Sequence, residues 1–145
     1  MSLQRIPKPL LVLLGVAVLV SIVHYIDNYV NYADYPSAEP GSALSAVEPS
    51  QTLVGLGWFV FTAFGVLGLW LLAHGRVAAA AIAIALYSGS GLVGFGHYAV
   101  PGATDMVWWR QTHVVADIIC GVLLFGYAVW LATAGRDALA GRRPA

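Results

Sequence analysis

Four long apolar stretches constrain this chain more than any other feature. They run over about residues 10–27, 53–73, 77–100 and 107–134. A hydrocarbon core about 30 Å thick is crossed by around 20 apolar residues of α-helix. Backbone groups inside hydrocarbon must pair within the segment, so each stretch is expected to be a helix. The expected fold is all-α, a polytopic membrane protein built as a single four-transmembrane-helix bundle over residues 1–145. Composition points the same way, since 10% of the residues are charged where a soluble domain carries about 25%.

The first stretch starts well for a helix, with Pro9 at the head of Leu10 to Val23. Read to Val23 alone it resembles a signal-peptide core. Leu19-Val20-Ser21 is a poor cleavage site, so the segment is expected to be retained as a span. The connector over residues 28–52 contains Pro36, Pro40 and Pro49, the acids Asp34, Glu39 and Glu48, and no Lys or Arg. Tyr25, Tyr29 and Tyr32 share a helical face, which reads as an aromatic belt at the membrane surface, and Pro36 is expected to stop that helix. Only a few residues, His74-Gly75-Arg76, separate spans two and three, so those helices are expected to be antiparallel neighbours.

Charge placement predicts orientation. Arg5, Lys8, Arg76, Arg136, Arg142 and Arg143 fall on one side of this map, and Arg110 alone on the other. The positive-inside rule then puts both termini in the cytoplasm, in a plasma or inner membrane, with the connector and the 101–106 loop outside. A faint duplication accompanies this topology. His-Tyr recurs at 24–25 and 97–98, and Gln-Thr at 51–52 and 111–112. A parallel repeat would place a site where its halves meet.

The polar residues of the spans carry the functional signal. Trp108 to Asp117 opens the last span, with Arg110, His113 and Asp117 at i, i+3 and i+7 on one helical face. His24, Asp27 and Asn28 share a face of span one, and His97 ends span three. At about 1.5 Å per residue, His24, His97 and His113 each lie roughly 5–6 Å below their rims, and Asp117 about 12 Å. Ionisable residues inside a membrane are functional candidates by default. Asp117 is expected to face a polar interior with its carboxylate near His113, one turn above it, and with His24 or His97 across the bundle as further candidate partners. Arg110 beside two tryptophans reads as a snorkelling headgroup anchor. His74 reads as interfacial, Cys120 as a buried inert thiol, and Gly89, Gly91, Gly94 and Gly96 as a close-packing surface. A single cysteine excludes an intrachain disulfide.

Four functions remain open on these residues. His24, His97, His113 and Asp117 are residue types that ligate a divalent metal such as Zn²⁺. His113, Asp117, His24, Asp27 and His97 are equally candidates for acid–base catalysis on a lipid-type substrate. His113 and Asp117 could form a proton relay in a transporter or channel subunit. The polar face could also bind a partner helix in a homo-oligomer or an accessory membrane complex. The expected environment is the lipid bilayer, and no basic run suggests nucleic acid.

Overall fold

In a computed structural model describing residues 6–135, the chain is an all-helical bundle. Helix α1 spans Lys8–Val30, α2 Gln51–Ala73, α3 Val77–Leu92 and α4 Trp108–Thr133. All four spans are long and apolar enough to cross a membrane, the third being α3 together with its continuation to Ala99. The protein is thus an integral membrane protein. Its outward faces are apolar: Val12, Leu19 and Val30 are each 67% exposed and Phe59 is 66% exposed. Among the described residues nine polar or charged side chains, by contrast, lie buried between helices. An apolar exterior around a polar interior fits a molecule whose solvent is lipid.

The helices form a closed ring in which α1 packs on α2, α2 on α3, α3 on α4, and α4 back on α1. Sequence-local signals set the ends. Pro9 sits in the first turn of α1, where its missing N–H is not needed. Ser50 caps α2, its hydroxyl accepting from the Leu53 amide. Gly75, at φ +74°, takes the left-handed position after α2. The Gly75 and Arg76 amides bond back to the Leu72 and Leu71 carbonyls, which is a Schellman closure that turns the chain directly into α3.

The third span departs from the single α-helix expected over 77–100. It is α-helical to Leu92 and continues as a 3₁₀ helix over Val93–Ala99. Gly94 and Gly96 lie in the tightened part, and Val100, held extended before Pro101, ends it. The change matters because a 3₁₀ helix rises about 2 Å per residue and turns every three. It therefore redirects His97.

The apolar core fills the end of the bundle near the 74–76 turn, around Leu10, Leu14, Ile84, Leu124 and Leu131. Toward the other end, α3 and α4 touch through their backbones. A Cβ at Gly91 would run into the Asp117 carbonyl, and one at Gly121 would stand 2.9 Å from the Ser88 carbonyl. This contact fixes the height of Asp117 against the wall of α3. At the connector end α1 stops at Val30, followed by a 3₁₀ turn at Tyr32–Asp34 and extended Tyr35 before Pro36. Of the tyrosine face, Tyr29 is exposed, but Tyr25 is buried and donates to the Ser90 carbonyl, so it is no belt residue. Arg5, Arg136, Arg142 and Arg143, which weigh in the orientation argument, lie outside the described residues.

Candidate functional site

The site grows from two facing helices. Residues three and four apart share a helical face, so α1 turns His24, Asp27 and Asn28 inward together, while α4 turns Arg110, His113 and Asp117 toward them. The two helices run in opposite directions, so the deeper residue of one meets the deeper residue of the other. His24 Nδ1 donates to Asp117 Oδ2 at 2.7 Å. One turn nearer the connector, His113 Nε2 stands 3.2 Å from Asp27 Oδ2. The result is two crossed histidine–aspartate pairs, each built from one residue of α1 and one of α4.

The pairs differ in chemistry. His24 and Asp117 are each 2% exposed and share a short, charge-assisted hydrogen bond. With Nδ1–H committed to the carboxylate, Nε2 of a neutral His24 ring carries the lone pair. That atom faces His97 Nε2 at 3.4 Å, and the Asn28 amide Nδ2 lies 3.1 Å from the same His97 nitrogen. The 3₁₀ segment is what brings His97 inward to meet α1.

Asp27 instead is saturated by donors. Its Oδ1 accepts from Asn31 Nδ2 at 2.6 Å, and its Oδ2 from the Tyr35 hydroxyl at 2.6 Å and Arg110 Nε at 2.9 Å. His113 approaches the same oxygen off the hydrogen-bond direction, so neither of its ring nitrogens has a hydrogen-bond partner among the described residues. Arg110 continues to Asp34, with Nη2 3.3 Å from the carboxylate and Nη1 3.4 Å from the carbonyl. Its guanidinium lies 4.8 Å from the Tyr35 ring centre and 5.2 Å from that of Trp109. Burial, and then the carboxylate that it donates to, push the Tyr35 phenol above its ordinary range, so it remains a donor.

Two expectations are corrected here. Arg110 is not a headgroup anchor: it is 6% exposed and clamps Asp27 and Asp34. Its planar fork of donors lets it reach two carboxylates at once, and a buried position with two acids at 2.9 and 3.3 Å leaves no need of a headgroup. Of the candidate partners of Asp117, His24 across the bundle bonds it, and His113 on its own helix does not. The cross-helix imidazole stands at the right depth, while His113 turns toward Asp27. His74, at the opposite end and exposed, bonds the Trp70 carbonyl and takes no part. Cys120 is buried.

Rings of His24, His97 and His113 gather closely, with the His24 centroid 5.5 Å from each of the others. The set His24, His97, His113 and Asp117 does not converge on one point. Asp117 reaches the cluster only through His24 Nδ1, and among the described residues no three or more His, Cys, Asp or Glu side chains are arranged to hold a metal ion. The residues that sequence reasoning missed are Asn31, Asp34 and Tyr35, which close the Asp27 cluster from the connector. One signal did exist: Arg110 is the single basic residue on a side that carries Asp34, Glu39, Glu48 and Asp105.

Against this polar group lies a cavity of about 480 Å³. His24, Asn28 and His97 form its polar patch. Tyr25, Val54, Phe61 and Val93 supply apolar wall, and connector residues from Tyr32 to Pro49 close one side. Among the described residues Glu48 is its one acid, and no Lys or Arg lines it. No protein-family model, no curated protein and no solved structure matches this chain.

Proposed function

We propose that the protein binds a neutral, lipid-soluble ligand in this cavity and exchanges a proton with its polar head. The observation that carries the reading is the cavity itself, an apolar chamber of about 480 Å³ with His24, Asn28 and His97 at one wall. Small-molecule sites typically measure about 300–1,000 Å³ and combine apolar walls with a few placed polar groups. A wall without Lys or Arg favours a hydroxyl or carbonyl head over a phosphate. Asp117 fixes the His24 ring in the cavity wall, where Nε2, shared with His97, suits a general base or, once protonated, an acid. His97 and the Asn28 amide orient the same oxygen.

Transport is the weaker reading. The cavity is lined from residues 24–61 and 93–100, all at the connector end, and the opposite half is packed with apolar core. The orientation that goes with this reading puts both termini in the cytoplasm and opens the connector end outward. Lys8 and Arg76 lie at the other end, and Arg110, the one Lys or Arg at the connector end among the described residues, is neutralised by two carboxylates.

The test compares four C15 isoprenoid probes, an alcohol, its aldehyde, its hydrocarbon and its phosphate ester, by thermal stability of the detergent-purified protein. Alcohol and aldehyde should stabilise it, and His97→Leu should abolish the effect. Equal stabilisation by the hydrocarbon, or preference for the phosphate, overturns the reading.

A further inference from the structure

We propose that His24 and His97, together with the Asn28 side-chain oxygen, form a site for one divalent first-row transition-metal ion in the cavity wall. The inference shares that wall with the ligand reading but needs no organic ligand.

The argument begins with lone pairs. Asp117 accepts the Nδ1–H of His24, which in the neutral ring leaves Nε2 bare, 3.4 Å from His97 Nε2. His97 Nε2 is bare as well in the neutral ring that carries its proton on Nδ1, and the Asn28 amide stands 3.1 Å from it. In that tautomer the two lone pairs face each other, and a cation held between them relieves their repulsion. The separation suits a metal. Nitrogens bound at about 2.0–2.1 Å to a tetrahedral Zn²⁺ stand roughly 3.3–3.4 Å apart. Turning the Asn28 amide end for end places its oxygen where Nδ2 stands, as a third donor, and leaves a fourth position toward the cavity.

The surroundings agree. A ligating histidine usually gives its other N–H to a carboxylate, which fixes the ring and strengthens the ligand. Asp117 does this for His24 at 2.7 Å. It also supplies the negative charge that a buried dication needs. Arg110, the one fixed cation nearby, is matched by Asp27 at 2.9 Å and Asp34 at 3.3 Å, so it does not oppose a second cation. Imidazole with one neutral oxygen suits Zn²⁺, Co²⁺, Ni²⁺ or Fe²⁺ rather than Ca²⁺ or Mg²⁺.

A proton on His24 could fill the same gap, so the experiment must separate the two. Protein purified without a polyhistidine tag and stripped with chelator is titrated with Co²⁺ and Zn²⁺. The expected result is one equivalent bound, the intense visible d–d bands of low-coordinate Co²⁺, and their displacement by Zn²⁺. His24→Ala and His97→Gln should lose the bands, while His74→Ala at the far end should keep them. Asp117→Asn should weaken affinity about 10–100-fold. Failure of folded wild-type protein to bind either ion overturns the proposal in favour of a shared proton, and so does a full Co²⁺ spectrum in His97→Gln. Both readouts are made without isoprenoid probes, so a failure here leaves the ligand reading standing, and the converse.

Discussion

Asp27 shows how a carboxylate is tolerated inside a membrane: it accepts from Tyr35, Arg110 and Asn31 at 2.6–2.9 Å. Removing one partner of a buried ion pair typically destabilises by about 3–5 kcal/mol, because the other charge is left uncompensated. Arg110→Met should therefore lower thermal stability in detergent markedly. The double variant Arg110→Met/Asp27→Leu should recover much of the loss, since it removes both charges. A single variant as stable as wild type would mean that the clamp does not form. Asp117 makes a gentler case. Asp117→Asn keeps an oxygen for the His24 N–H and should fold near normally while impairing binding in the cavity. Asp117→Leu leaves a buried imidazole N–H without its acceptor, a loss of about 1–3 kcal/mol. A stabilised, fully binding Leu variant is the outcome that contradicts the site.

At the scale of elements, the contact of α3 with α4 decides where these residues stand. Gly91 and Gly121 let the two backbones meet, and a methyl group at either position strikes main-chain atoms. Overpacking of this kind costs about 1–3 kcal/mol or more, so Gly121→Ala should destabilise clearly. Gly126, on the same helix but with nothing within 4 Å of its notional Cβ, is the control. Gly126→Ala should stabilise by roughly 0.5–1 kcal/mol. Equal effects at the two positions, measured by thermal unfolding, would remove the close contact from the account. The elements also show what sequence could convey. Apolar length is a local property, so the four spans were legible from it alone. Helical spacing is local too, and it put His24 with Asp27 and His113 with Asp117. The choice of cross-helix partner is not local: His24 finds Asp117 across 93 positions, and no periodicity carries that information. Likewise the glycines of 94–96 suggested packing, but the tightening to a 3₁₀ turn that aims His97 depends on its neighbours. Tyr35 and Asp34 lay in a connector without regular spacing, so only the charge imbalance around Arg110 pointed to their docking on it.

For the whole molecule, polarity is arranged along the bundle axis. One end holds the apolar core and the tight 74–76 turn. The other holds the histidine cluster, the cavity and the connector that covers it. A ligand arriving from lipid or from the far side of the membrane must therefore engage the connector end, which makes its side of the membrane a functional question. Lys and Arg are retained on the cytoplasmic side during insertion, and at the connector end the one Lys or Arg among the described residues, Arg110, is buried in ion pairs rather than presented to the surface. The connector end is thus predicted to face away from the cytoplasm. Single cysteines placed in a Cys120→Ala background report this directly. Ala46→Cys lies on an exposed part of the connector, and His74→Cys on the exposed turn at the other end. In intact cells, a membrane-impermeant maleimide should label position 46 at once and position 74 only after lysis. Both should label equally in detergent, which shows that each thiol is accessible. Labelling of position 74 alone in intact cells would invert the bundle. It would also turn the cavity toward the cytoplasm, so that any lipid-soluble ligand would have to be met from that side.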